Sequence, residues 1–191
     1  YILVTPLQLA VMTAQLVNGG IKLKPHLTKR LLSPDGAEDA VNAVAGESLN
    51  VSSANMKLVR DAMARVVNDP RGTTFRSRIK EADMMMGGKT GTVQVRRISK
   101  AERETGVLKN SELEWKDRDH ALFVGFAPVD NPRYAISVVV EHGGGGSSVA
   151  APIARDVLYE AQRLNILSTV SSPIEDADLN KKDGVENAKH A

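Results

Sequence analysis

The sequence predicts an α+β fold, an antiparallel sheet of about three strands flanked by helices. Three observations carry this. Thr5 to Val17 and Ser52 to Val67 repeat apolar residues at helical spacing behind capping residues. Ala121 to Ala127 and Tyr134 to Glu141 are apolar and β-like, and the short turn Pro128-Val129-Asp130-Asn131-Pro132 makes them an antiparallel hairpin. The overall order is helix, extended piece, helix, strand, hairpin, helix, which sets helices against an antiparallel sheet.

Thr5-Pro6 reads as an N-cap followed by proline at the first helical position. Leu7, Ala10, Val11, Ala14 and Val17 then fall at helical spacing, and Asn18-Gly19-Gly20 supplies the stop. Ile21 to Leu32 alternates weakly and holds Pro25, so a short edge strand or extended segment is expected. Ser33-Pro34-Asp35-Gly36 is a turn, and Glu38 to Val51 is ambiguous. Ser52 or Ser53 caps a second helix, with Met56, Val59, Met63, Val66 and Val67 on its apolar face. Asn68 to Gly72 ends it, and Thr73 to Ala82 is a polar connection with room for a helical turn.

Met84 to Val95 is β-like, and its Met84-Met85-Met86 run reads as core on a buried strand. Arg96 to Asp119 is long, charged and nearly aperiodic. It is expected as an excursion between strands, and its length makes it a candidate functional loop. His142 to Ser148 is a glycine-rich loop. Val149 to Leu164 is the last helix, with Ile153, Val157, Leu158 and Ala161 on one face. Residues 1–167 are assigned to one folded unit and 168–191 to a polar tail expected to be disordered.

Composition narrows the function. The 191 residues suit one domain or a large part of a bigger one, and 42% apolar residues are enough for a packed core. The net charge of +2, from 25 basic and 23 acidic residues, gives no basic field for nucleic acid or a membrane surface. A local site could still favour an anionic substrate. The absence of cysteine excludes disulfides and thiolate chemistry. Tyr1 to Val17 is apolar-rich, but Thr5, Pro6, Gln8, Thr13 and Gln15 interrupt it too often for a membrane span. Because the chain starts at Tyr inside an apolar pattern, it reads as a fragment or processed product.

The sharpest local signal is Gly87-Gly88-Lys89-Thr90-Gly91-Thr92. Glycines let a backbone approach a ligand, Lys89 adds positive charge, and Thr90 and Thr92 add hydroxyl donors, a set that suits a carboxylate or phosphate. A phosphate-binding P-loop would need glycine at position 83 and a helix after Thr90; here Asp83 and a strand-like Val93-Gln94-Val95 stand instead. The other reading is the Lys-Thr-Gly element that edges the active site of serine β-lactamases and penicillin-binding proteins. A solvated lysine at the start of an ordinary strand is the bland alternative.

An ordered series of further matches lifts the second reading. Thr5-Pro6-Leu7-Gln8, Asn18-Gly19-Gly20, Lys24-Pro25-His26, Arg60-Asp61-Ala62-Met63, Gly72-Thr73-Thr74, Lys89 to Gln94, Asp119 to Pro128 and Val138 to Glu141 with the glycine loop follow in sequence. Over Tyr1 to Leu167 the chain resembles class B penicillin-binding proteins, most closely the elongation type, penicillin-binding protein 2. The resemblance implies part of the serine β-lactamase/penicillin-binding transpeptidase fold. It also implies a D,D-transpeptidase that acts on D-Ala-D-Ala stem peptides and is acylated by β-lactams, without cofactor or metal. Lys89, Thr90, Gly91 and Thr92 would bind the substrate carboxylate, and the Thr92 backbone N–H would be one oxyanion donor. Expected partners are a glycosyltransferase and other cell-elongation proteins. The expected location is the periplasmic face of a bacterial inner membrane, held by an anchor upstream of Tyr1.

The family places Ser-x-x-Lys and Ser-x-Asn before Lys-Thr-Gly. Ser77-Arg78-Ile79-Lys80 and Ser53-Ala54-Asn55 fit these patterns literally but in reversed order. Ser77 stands among charged residues, and Ser53-Ala54-Asn55 is explained as a helix cap. The nucleophile is therefore expected upstream, and the chain by itself is expected to be inactive and unstable. Two other readings stand beside this one: an inert binding module that keeps the fold, and a nucleotide-binding domain using Lys89. His120 and His142, separated by the hairpin, could meet in space in a structural role. Asp117-Arg118-Asp119 reads as a solvated run, Glu141 as a loop hydrogen-bond partner, and Trp115 as a loop anchor or a lid over the site.

Overall fold

The computed structural model describes residues 3–28, 30–34, 38–40 and 45–164. The boundary expected at 167 and the polar tail lie outside them.

Helix α1 (Pro6–Val17) opens on a reciprocal cap: Thr5 Oγ1 accepts from Gln8 N–H at 3.2 Å, and Gln8 Oε1 accepts from Thr5 N–H at 2.8 Å. It ends where Asn18 Oδ1 accepts from the N–H groups of Gly20 and Ile21. The next stretch holds more strand than its sequence announces. β1 (Ile21–Leu23) pairs antiparallel with β4 (Ala45–Ser48), and β2 (Arg30–Leu32) with β3 (Glu38–Ala40). Strands of three or four residues are too short to print a period of two. The ambiguous stretch after Gly36 supplies the partners of both short strands.

Helix α2 (Ser53–Asn68) is capped by Ser52, whose Oγ accepts from Asn55 N–H at 3.3 Å. Its C-terminus is closed from a distance. Thr74 donates to the Val66 carbonyl through both its N–H (3.2 Å) and its Oγ1 (3.0 Å). A Cβ on Gly72 would lie 2.3 Å from that same carbonyl oxygen, so only glycine fits the turn. The segment expected as a polar connection instead buries Thr74, Ser77 and Ile79 and packs a 3-10 turn, Phe75–Ser77, against α2 and the last helix.

The main sheet runs in the order β5 (Gly87–Val93), β6 (His120–Ala127), β7 (Tyr134–Val140), antiparallel throughout, with a cis Ala127–Pro128 bond in the β6–β7 turn. Between β5 and β6 lies a short helix, α3 (Lys100–Thr105), followed by two 3-10 turns, so the excursion is not structureless. A π-turn, Gly146–Ala150, leads into α4 (Ala151–Arg163). One sheet face meets α4: Ala121, Phe123 and Ala127 of β6 pack with Ala151, Ala154 and Leu158. On the other face Phe126 packs with Val17 of α1 and Met63 of α2. The α4 face differs from the expected one: Ile153 and Val157 are exposed, and alanines bring the helix backbone close to the sheet. Similarly, Leu7 of α1 and Val59 of α2 face outward, while Thr13 is buried with its hydroxyl donating to the Leu9 carbonyl at 2.8 Å.

Candidate active-site wall

Strand β5 is positioned by the three residues before it. Gln162 of α4 donates to the Met84 carbonyl at 3.0 Å, Val129 N–H to the Met85 carbonyl at 2.8 Å, and Asn68 of α2 to the Met86 carbonyl at 2.9 Å. Both helix layers and the hairpin thus grip consecutive carbonyls of one segment. The Met84-Met85-Met86 run is core only in part: Met86 is fully buried, whereas Met84 sits in a 3-10 turn and is half-buried. Gly87 and Gly88 follow, both buried. A Cβ on Gly87 would lie 2.7 Å from Phe126 Cζ, and one on Gly88 2.2 Å from Phe123 Cζ. The two glycines therefore make room for one phenyl ring on each face. They serve the core rather than the approach of a ligand, which corrects the sequence-based reading.

Beyond them the strand turns outward. Lys89 and Thr92 are exposed, and Thr90 and Gly91 half-buried. β6 occupies one side of β5 and, among the described residues, no strand pairs with the other, so β5 is an edge strand. The Lys89 ammonium donates to the Thr90 carbonyl at 2.7 Å. That carbonyl lies on the open edge, and the two-residue period of an antiparallel strand sends the Thr92 N–H off the same edge. Lys89, Thr90, Gly91 and Thr92 thus form one continuous ledge carrying a cation, hydroxyls and a backbone donor. Strand geometry continues to Val93 with no helix after Thr90, which removes the nucleotide-binding reading of Lys89.

The literal serine matches lie elsewhere. Ser53 is the first residue of α2 and exposed, directly after the true cap, Ser52. Ser77 is buried in its 3-10 turn, not solvated as expected, while Lys80 is exposed. No helix begins at Ser77 to bring the two together.

The far end of the sheet is closed by rings and amides. His120 and His142 do meet: their ring centroids are 4.7 Å apart, and His120 Nδ1 accepts from His142 N–H at 2.9 Å. His142 Nδ1 donates in turn to the Arg118 carbonyl at 3.0 Å, and Trp115 lies 4.4 Å from its ring. Asn110, which no local signal marked, bonds both the backbone N–H of Asp119 (2.8 Å) and its carboxylate (3.2 Å). Arg118 Nε donates to the Leu113 carbonyl at 3.1 Å. The expected solvated run at Asp117 to Asp119 is thus half-buried and tied down. Within the excursion Arg96 and Glu102 form a two-pronged ion pair, one arm at 2.7 Å. The guanidinium of Arg96 pulls the Glu102 carboxyl down to about 2, helped by the Leu108 N–H. Among the described residues no group of His, Asp and Glu gathers that could hold a metal ion, and no helix is long and apolar enough to cross a membrane.

This helix-flanked sheet, with Lys-Thr-Gly-Thr on its open edge, is the wall expected of a penicillin-binding transpeptidase domain. The sequence model of the penicillin-binding protein transpeptidase domain matches residues 2–182, and the chain belongs to that family. More particularly, it is 36% identical over 176 residues to the peptidoglycan D,D-transpeptidase MrdA of Haemophilus influenzae, covering 90% of this chain and 26% of the relative. With MrdA of Acinetobacter baumannii it shares 36% identity over 155 residues, 78% of this chain and 21% of the relative. Among solved structures, Pseudomonas aeruginosa PBP2 in complex with WCK 5153 matches with a TM-score of 0.61 at 35% identity, covering 83% of this chain and 30% of that one. The Helicobacter pylori complex between PBP2 and MreC shares the fold, with a TM-score of 0.62 at 24% identity over 85% of this chain and 25% of that one. The chain spans about a quarter of the length of the curated relatives it matches.

Proposed function

We propose that this chain forms one wall of the active site of a peptidoglycan D,D-transpeptidase of the elongation type. The observation that carries the reading is the open edge of β5, with the Lys89-Thr90-Gly91-Thr92 ledge pinned from both faces of the sheet. An edge strand accepts an extended peptide by adding it as a further strand. Lys89 then offers its ammonium to the C-terminal carboxylate of a D-Ala-D-Ala stem, exchanging the Thr90 carbonyl for a charged acceptor. Thr90 and Thr92 offer hydroxyls to the same group. The Thr92 N–H supplies an oxyanion contact, a class of interaction worth about 2.7–4 kcal/mol per donor.

The nucleophilic serine belongs to a part of the protein outside this chain. Its Oγ attacks the penultimate D-Ala carbonyl, the terminal D-Ala leaves, and the amine of a second stem resolves the acyl-enzyme. β-Lactams acylate the same serine, with their carboxylate on the Lys89 ledge. Such substrates place the work at the periplasmic face of a bacterial inner membrane. A glycosyltransferase that supplies the glycan and an MreC-like elongation protein fit as partners, the latter supported by the Helicobacter pylori complex.

Fluorescent-penicillin labelling of the full-length protein tests this. A single label is expected on a serine outside residues 3–164, and Lys89→Ala should slow acylation on the order of 100-fold. A label on Ser53 or Ser77, or an unaffected Lys89→Ala protein, sinks the proposal.

A further inference from the structure

We infer that the cavity just past β5 is a subsite for carboxylates that a donor peptide carries on the N-terminal side of its D-Ala-D-Ala end. The inference rests on the transpeptidase reading and adds a second grip on the same substrate. A cavity of about 860 Å³ opens where the chain leaves β5, and its lining includes Gln94, Arg96, Arg97, Ile98, Lys100 and Arg103. Four of these are cations. Arg96 is already matched by Glu102. Arg97, Lys100 and Arg103 take part in none of the ion pairs among the described residues. In a chain with a net charge of only +2, three unmatched cations around one opening are a local field rather than a reflection of composition.

The direction of β5 decides which part of a substrate reaches that field. With the terminal carboxylate at Lys89 and Thr90, and the scissile carbonyl at the Thr92 N–H, the peptide lies antiparallel to β5. Its C-terminus then points toward Gly87, and its earlier residues pass Val93. An extended chain advances about 3.3 Å per residue. The third and fourth residues from the donor's end therefore run alongside the stretch from Gln94 to Arg97, within reach of long cationic side chains. Guanidinium and ammonium groups at that place select acidic residues there, the guanidinium through its paired N–H donors. The Arg96–Glu102 pair fixes the floor on which the three free cations stand.

The test uses the full-length protein and two synthetic peptides ending in D-Ala-D-Ala, with glutamate or glutamine at the third and fourth positions from the end. Each is titrated against fluorescent-penicillin acylation. In low salt the glutamate peptide should inhibit about tenfold more strongly, and the preference should shrink at high salt. The triple substitution Arg97→Gln, Lys100→Gln, Arg103→Gln should abolish the preference, with inhibition by the glutamine peptide staying within about twofold as the check on folding. Equal inhibition by the two peptides in the unaltered protein overturns the subsite, as does a preference that survives the triple substitution. Failure of the unaltered protein to react with penicillin would instead overturn the transpeptidase reading, and the subsite with it.

Discussion

Strand β5 and the excursion that follows it are joined at Val93, yet they are built in opposite ways. β5 is held by buried groups: phenyl rings stacked over glycine backbone and three hydrogen bonds to consecutive carbonyls. The excursion is held by charge and by amides at its rim: the Arg96–Glu102 pair, the Asn110 clamp on Asp119, and a stack of rings. The first kind of support is insensitive to salt and pH, and the second is not. A ledge that must hold an oxyanion donor within a fraction of an ångström sits on the first kind. A surface that adds grip on a variable part of the substrate can sit on the second.

The largest test of that contrast is Gly88→Val. Its Cβ would overlap Phe123 and the Val124 carbonyl, so a loss of 3 kcal/mol or more is expected, read as a fall in the thermal melt of the full-length protein. A melt unchanged by this substitution would show that the ring-over-glycine packing does not hold β5. Asn68→Ala comes next. It removes the bonds to the Met86 and Ala64 carbonyls and should cost about 1–3 kcal/mol, with slower penicillin acylation as the ledge loosens. An acylation rate that stays normal would detach the pin from the ledge.

Arg96→Gln should act on the excursion alone. Cleavage by a protease within 94–119 should quicken, while the global melt stays in place. Acid offers the smallest and most selective change. The Glu102 carboxyl titrates at about 2 in the fold, against roughly 4.3 in an unfolded chain. A folded value below the unfolded one means that the pair contributes fully above about pH 4.3 and loses its contribution as pH falls toward 2. Hydrogen exchange should therefore quicken in the excursion over that window and not in β5. Equal acceleration in both would erase the distinction.

Legibility from sequence follows the same divide. The hairpin, the two capped helices and the Lys-Thr-Gly-Thr ledge were readable because caps, turns and β-rich runs are local signals. The contact between His120 and His142 was readable from the hairpin that separates them. The inward face of α4 was misread because Ala151 and Ala154 bury by being small, while Ile153 and Val157 remain outside. Gly87 and Gly88 were read for a ligand, since nothing local says that Phe123 and Phe126 will cover them. The bonding roles of Asn68, Asn110 and Gln162 escaped notice. Asn68 and Gln162 donate to backbone carbonyls and Asn110 accepts from a backbone N–H, each distant in sequence, and composition carries no trace of such a bond. Ser77 and Thr74 show the converse, short polar residues buried within a stretch expected as a polar connection.

The ring stack at the far end of the sheet also gives the protein a reporter. Trp115 is the only tryptophan in the chain, and its indole rests against His142, whose backbone is tied to His120 at the start of β6. Light emitted by this one indole therefore comes from the place where the excursion rejoins the sheet. Within this chain, a peptide that settles along the excursion should change the emission of that indole.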